Sequence, residues 1–291
     1  MPPVVPAAQV TPVPPTTLAA VLAVLVVGCL SGCGGSGAAA EGREGVPGGA
    51  KAVGQAADAL VRAGSSRVRT SMRMASGGTW LTITGVGGFD YERRQGEFTL
   101  ELPADATGTE EHKPITELLT PGALYMKDRG AGVPEGKWVR VDTTRLPDGN
   151  LVTGGATEPL AAAELLRGAQ QVTLVGEETV DGVRVRHYRG SADIVRAARA
   201  TPAAARGPLR AAAKGFTVTD VPFDAWLDGA GRIRELTQRF TFSPAGRAPG
   251  TGQDVTVVST TRFDRFGSPV PVIMPRAADI WSGKIVSAQA G

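Results

Sequence analysis

The sequence predicts an α+β protein with one large antiparallel sheet and helices against one of its faces. Three observations carry that prediction. Strand-like runs follow one another through short, hairpin-type connections. The helical stretches are few and grouped, and do not alternate one for one with strands, so a parallel α/β sheet is not expected. The 259 residues that follow position 32 are enough for one large domain that buries roughly three-quarters of its unfolded surface without disulfides or metals.

The elements follow in order. Val53, Ala57, Leu60 and Val61 recur at helical spacing within 51–64, and Gly64 ends the pattern. The period then changes to two: Val68, Thr70, Met72 and Met74 alternate with Arg67, Arg69, Ser71 and Arg73. Further strands are expected at 80–85, 95–102, 115–120, 123–127 and 137–142, with Pro121 and Gly122 turning the chain between two of them. The cluster Gly85, Gly87, Gly88 and Gly96 suits a curved sheet better than a phosphate cradle. A helix is expected from Pro159, at a permitted first position, to Arg167, ahead of Gly168. Strands at 172–180 and 183–191 flank Asp181 and Gly182, the strongest hairpin signal in the chain, since both residues tolerate positive φ. Ala/Arg-rich segments at 193–200 and 202–214 read as helices, and 223–228, 232–243 and 253–263 as a closing meander.

The N-terminal segment has a different character. No charged residue precedes Glu41, and all 31 Lys and Arg and all 28 Asp and Glu lie in residues 41–291. Residues 18–30 (LAAVLAVLVVGCL) are uniformly apolar or small; a helix of that length rises about 20 Å, short of the roughly 30 Å hydrocarbon core. The run therefore reads as the apolar region of a signal peptide over 1–32. It ends in Leu30-Ser31-Gly32-Cys33, which resembles the bacterial lipobox, in which the Cys thiol receives a diacylglyceryl group and becomes the first mature residue. Cys33 is the preferred lipidation site. Val26-Val27-Gly28-Cys29 fits the same pattern more loosely and makes Cys29 the alternative. Residues 1–17 contain no Lys or Arg, unlike an ordinary signal; either translation starts elsewhere or export is less efficient than usual. Residues 33–50 are Gly-rich and read as a flexible tether. Their G-x-G-x-x-G at Gly32, Gly34 and Gly37 has no strand before it, so it is no dinucleotide site. The folded domain is expected over 51–280 and a short tail over 281–291.

Composition narrows the function. At 42% hydrophobic and 20% charged residues, the chain is neither disordered nor a multi-span membrane protein. A net charge of +3 and export argue against nucleic-acid binding. No cofactor or metal site is expected. The only histidines are His112, in a polar loop, and His187, on a strand with Val183 and Val185 and so able to face the interior. There is no G-x-S-x-G. The acidic residues Glu177, Glu178, Asp224 and Asp228 read as surface and turn groups, so no catalytic residue is assigned and an enzyme is not expected. Arg67, Arg69, Arg73, Arg93, Arg94, Arg196, Arg199, Arg206 and Arg210 read as solvated faces or as a stripe toward anionic lipid head groups.

Several segments carry a resemblance to a known family. They are ALYMK (123–127), GKWVRVD (136–142), DGVRVRHYRGSAD (181–193), VPFDAWLDGAGRIREL (221–236) and FGSPVPVIMP (266–275), behind LSGC and its tether. Together, over roughly residues 50–280, they resemble the LppX/LprG-type lipoproteins of actinobacteria, relatives of the LolA-like half-barrel carriers. The resemblance implies that the sheet is curved into an unclosed half-barrel with helices on its concave face. It also implies an apolar cavity for lipid or glycolipid acyl chains and an N-terminal lipid anchor on the outer face of the cell membrane. The positions from which a cavity lining would be drawn include Val68, Met72, Met74, Trp80, Phe98, Leu100, Leu124, Met126, Trp138, Trp226 and Phe240. Both strand parities are represented, because sequence does not fix which face points inward, and ordinary core packing is the competing role for each. The alternative for the whole protein is a non-enzymatic structural or interaction lipoprotein with a packed interior. Protein partners are not specified by the sequence.

Overall fold

The computed structural model describes residues 48–76, 79–103, 113–130, 132–152, 156–242 and 254–283. Residues 1–47, with Cys29 and Cys33, lie outside the described residues, as does His112. Among the described residues no helix is long and apolar enough to cross a membrane.

Among the described residues the fold is built on eleven strands: β1 (Ser65–Ser76), β2 (Thr79–Asp90), β3 (Gln95–Glu101), β4 (Ile115–Thr120), β5 (Ala123–Lys127), β6 (Trp138–Asp142), β7 (Ala169–Val180), β8 (Val183–Asp193), β9 (Asp220–Asp228), β10 (Ile233–Phe242) and β11 (Val255–Asp264). They form one antiparallel sheet in the order β6-β5-β4-β3-β2-β1-β11-β10-β9-β8-β7. The sheet is not closed, because β6 and β7 remain its two edges. Among the described residues five short helices accompany it: α1 (Gly49–Gly54), α2 (Ala56–Arg62), α3 (Pro159–Leu165), α4 (Ile194–Ala200) and α5 (Gly207–Gly215). This is the unclosed antiparallel half-barrel, with helices against one face of the sheet, expected from the sequence.

Each β-strand is longer than or equal to the run of alternation that predicts it, apart from one-residue trims at the ends of β3, β6 and β10, and the 253–263 strand, which is observed at 255–264. The helices differ more. The first predicted helix is broken at Gln55 into α1 and α2. The helix expected from Pro202 begins only at Gly207, because a turn spans the residues after Pro202 and Pro208 occupies the first turn of α5. Asp181 and Gly182 adopt φ of 47° and 76° between β7 and β8, the left-handed pair that a two-residue hairpin requires.

The core lies between the inward face of the sheet and the helices. All seven residues of α3 are buried, and its backbone is tied to the sheet: Gln238 Nε2 on β10 donates to the Ala162 carbonyl at 3.0 Å. Thr157 Oγ1, just before α3, donates to the Leu151 carbonyl at 2.8 Å and lies 2.7 Å from Ser259 Oγ on β11. Arg167 locks α2 to α3. Its guanidinium grips Asp58 with two bonds of 2.6 and 3.1 Å and also bonds Glu164, whose side chain is 3% exposed. These bonds hold the Asp58 carboxyl below its ordinary range.

Close approach, not turn geometry, explains the glycine cluster. A Cβ on Gly87 would lie 2.2 Å from the Glu97 carbonyl oxygen and 2.7 Å from the Phe98 ring, so Phe98 packs directly on the β2 backbone. Gly87→Ala is expected to cost about 1–3 kcal/mol, read as a lower urea midpoint. Gly176→Ala, with nothing within 4 Å of the new methyl, should leave the midpoint nearly unchanged.

The β6 edge is covered by the C-terminal segment. Ile280 bridges Trp138 in parallel, and Trp281 N donates to the Trp138 carbonyl at 2.7 Å. On its way there the segment seats Val270 against Gly88 on the outer face of β2. An edge that would otherwise offer unpaired backbone groups is thus capped.

Candidate functional site

The register settles which strand parity faces the helices. On β1 the inward residues are Val68, Thr70, Met72 and Met74, and on β9 they are Val221, Phe223, Ala225 and Leu227. Of the residues proposed for a cavity lining, Val68, Met72, Phe98, Leu100, Leu124 and Phe240 point inward and are exposed by 1% or less. Met74 and Met126 also point inward but are only partly buried. Trp80, Trp138 and Trp226 have the opposite parity and lie on the outer face. Trp80 is 51% exposed beneath the Arg73 guanidinium, Trp138 is bridged by the C-terminal segment, and Trp226 stacks on His187.

Several partly buried inward residues lie together at one end of the half-barrel, while Val141 on β6 and Leu174 on β7 lie away from it. Met74 at the end of β1 pairs with Leu81 at the start of β2; Leu102 follows β3, Met126 lies near the end of β5 and Val255 opens β11. Leu81 is 38% exposed, and the other four pack against the core but are only partly buried. Antiparallel alternation places all five at the same end. The result is an apolar mouth above the buried core. Residues 104–112 and 243–253, in the β3–β4 and β10–β11 connections, lie outside the described residues.

Directly across from the rim residue Met126 is a group that sequence reading passed over. Glu117 on β4 pairs with Phe98 and Met126 on the flanking strands, so its side chain shares their inward face. It is 0% exposed, and neither carboxyl oxygen has a hydrogen-bond partner among the described residues. Burial pushes its pKa up to about 8, opposed by the field of Arg129 in the loop after β5. Arg129 also has a buried, unpartnered nitrogen, Nη1. That loop is held by Asp128, in the left-handed conformation with φ 57°, whose Oδ1 accepts from Gly136 N at 2.9 Å. The sequence signal was present: Ile115, Glu117 and Leu119 alternate, with a carboxyl where an aliphatic residue belongs.

The outer face carries a second polar cluster. His187 does not face the interior. Its Nδ1 lies 2.8 Å from Glu178 and its Nε2 2.7 Å from Asp224, while the ring stacks on Trp226 at 4.2 Å. Trp226 Nε1 donates to the other Glu178 oxygen at 2.8 Å, and Arg189 Nε donates to Asp224 at 2.9 Å. With carboxylates at both ring nitrogens, the imidazole is engaged as a cross-strand brace and neither nitrogen is left to contact a nucleophile. Asp228 accepts from Ala230 N and Arg232 N, a turn role, as the sequence suggested. Among the described residues no group of three His, Cys, Asp or Glu could hold a metal ion.

Two cavities also open on the outer face. One, of about 420 Å³, lies between β1–β3 and the C-terminal segment and is lined by Val86, Pro271 and Ile273 among others. The other, of about 610 Å³, lies beside β7–β9 and includes Arg189, Asp224 and Arg239.

No family model matches the chain, and no curated protein sequence matches it. Among solved structures it is similar to the lipoprotein LppX of Mycobacterium tuberculosis, at 11% identity and a TM-score of 0.45, covering 78% of this chain and 100% of that one. It is also similar to LprF from Mycobacterium bovis, at 14% identity and a TM-score of 0.41, covering 79% and 98%. A LolA superfamily protein from Nitrosomonas europaea gives 9% identity and a TM-score of 0.31, covering 75% and 94%. The half-barrel itself rests on this chain's own sheet: eleven antiparallel strands, two edge strands that do not join each other and an inward face occupied by helices.

Proposed function

We propose that the protein is exported, anchored to the outer face of the cell membrane through a diacylglyceryl group on Cys33, and binds lipid acyl chains at the open end of its half-barrel. In this reading 1–32 are removed, 33–50 tether the domain, and the domain ends near 280. The observation that carries it is the mouth: Met74, Leu102, Met126 and Val255 face inward at one end yet are only partly buried, and Leu81 beside them is exposed, so that an acyl chain would remove further apolar surface from water there.

The second reading, an interaction lipoprotein with a packed interior, is favoured by the complete burial of α3 beneath the sheet. Native mass spectrometry of the protein separates the two. Retained lipid, lost in Leu81→Glu and Met126→Glu, is expected; a bare protein mass under conditions that preserve fold would favour the interaction lipoprotein.

Anchoring follows from acyl arithmetic. Each buried methylene contributes about 0.8 kcal/mol, one chain binds a membrane only marginally, and a diacylglyceryl group supplies two. Cys33→Ser should leave the domain folded and move it from the membrane fraction to the soluble fraction, or strand it as a precursor of lower mobility. If Cys33→Ser is processed and membrane-bound while Cys29→Ser is not, the anchor is Cys29; if neither substitution alters localisation, there is no lipid anchor.

A further inference from the structure

Resting on the acyl-binding reading, we propose that Glu117 and Arg129 form the polar end of that site and take the carboxylate of a single-chain fatty acid, whose tail leaves through the apolar mouth.

The placement points to a ligand head group. Glu117 is fully buried on the inward face between Phe98 and Met126, and both of its oxygens lack partners among the described residues. A buried carboxyl left unpaired costs free energy that a fold normally avoids by placing a donor or acceptor opposite it. Arg129 lies close enough for its charge to act on Glu117, yet the two are not hydrogen bonded, and Arg129 keeps a buried nitrogen of its own unsatisfied. One oxyanion between them would satisfy both.

Charge selects the class of ligand. Glu117, held up to about 8 by burial, carries a proton at neutral pH and donates; Arg129 supplies the cation. A carboxylate therefore receives one charge-assisted bond and one O–H bond. An ammonium head would be repelled by Arg129, and an ester carbonyl would accept a bond from the guanidinium but leave its charge unneutralised. The charged residues flanking Phe98 and Met126, namely Glu97 on β3 and Lys127 on β5, alternate onto the other face and do not compete. Depth favours a small head group: only Ile115 separates Glu117 from the start of β4, a two-residue step of about 7 Å. From there a chain passes Met126, Leu102 and Leu81.

The test is laurate binding to the full chain bearing Cys29→Ser and Cys33→Ser, so that no acyl group of its own competes, with methyl laurate in parallel and thermal melts to confirm folding. Laurate should bind more tightly than its methyl ester. Arg129→Gln should weaken laurate about 10-fold or more while leaving the ester within about twofold. Wild-type affinity for laurate should fall about 10-fold between pH 7 and pH 9, as Glu117 loses its proton, and Glu117→Gln should flatten that dependence. Equal affinity for acid and ester, unchanged by Arg129→Gln, would overturn the head-group pair and leave acyl binding standing. If the folded protein binds neither compound, acyl binding fails and the head-group site fails with it.

Discussion

Glu117→Gln should raise the melting temperature by roughly 10 °C or more at pH 9 and by little at pH 5. A carboxyl whose folded pKa is raised contributes stability that is complete below its unfolded value and is lost as pH climbs through the folded one. For Glu117 those limits are 4.5 and about 8. Across that window the unfolded chain releases a proton that the folded chain retains, and wild-type stability should fall by roughly 4–5 kcal/mol in all. Glutamine has nearly the same shape and no proton to lose, so its curve should lack this fall. Melts of both proteins from pH 5 to pH 9, without added lipid, give the answer. A flat wild-type curve would mean that the carboxylate is already paired when charged.

Arg167→Ala is expected to destabilise the fold by about 3–5 kcal/mol, the usual result of removing one partner from a buried ion pair. The reason lies in what it leaves behind. Glu164 is 3% exposed and the Arg167 side chain 13%, so deleting the guanidinium strands a carboxylate at the end of a helix with no exposed residue. Asp58, 44% exposed, can turn to water and should matter less. Adding Glu164→Gln to Arg167→Ala should recover a large part of the loss, and Arg167→Lys should fall between, keeping charge without the two-pronged grip on Asp58. Chemical denaturation of the four proteins measures each term; a loss under 1 kcal/mol in Arg167→Ala would show that the pair contributes no more than a surface bridge.

Much of this architecture was legible because it rests on local chemistry. Period-two alternation from Val68 to Met74 marks β1, and Asp181-Gly182 marks the β7–β8 hairpin, since each depends on neighbours in sequence. Parity was not legible. Trp226 and Phe240 look alike as large apolar residues on strands, yet one braces His187 on the outer face and the other lies in the core; only pairing across several strands decides between them. Glu117 was missed for a related reason. A carboxyl on a strand reads as the solvated parity until register shows that Phe98 and Met126 flank it. The Arg167–Asp58 lock joins helices far apart in the chain, and nothing in either segment announces the other.

The strand order carries a consequence for how the molecule is assembled. Every neighbouring pair in the sheet is also consecutive in sequence except one, β1 with β11. The sheet is therefore two meanders, β6 to β1 and β11 to β7, sewn together along a single seam that runs from Arg67–Asp264 to Met74–Val257. Either meander can zip up from nearby hairpins, but the seam closes a loop spanning most of the domain and bears the largest entropic cost of any pairing in the sheet. A chain threaded through a membrane with its amino end first would expose β1 as an open edge until the last strand emerged. Apolar Val68 and Met72 on that edge would be the segment most in need of protection from neighbouring chains during export.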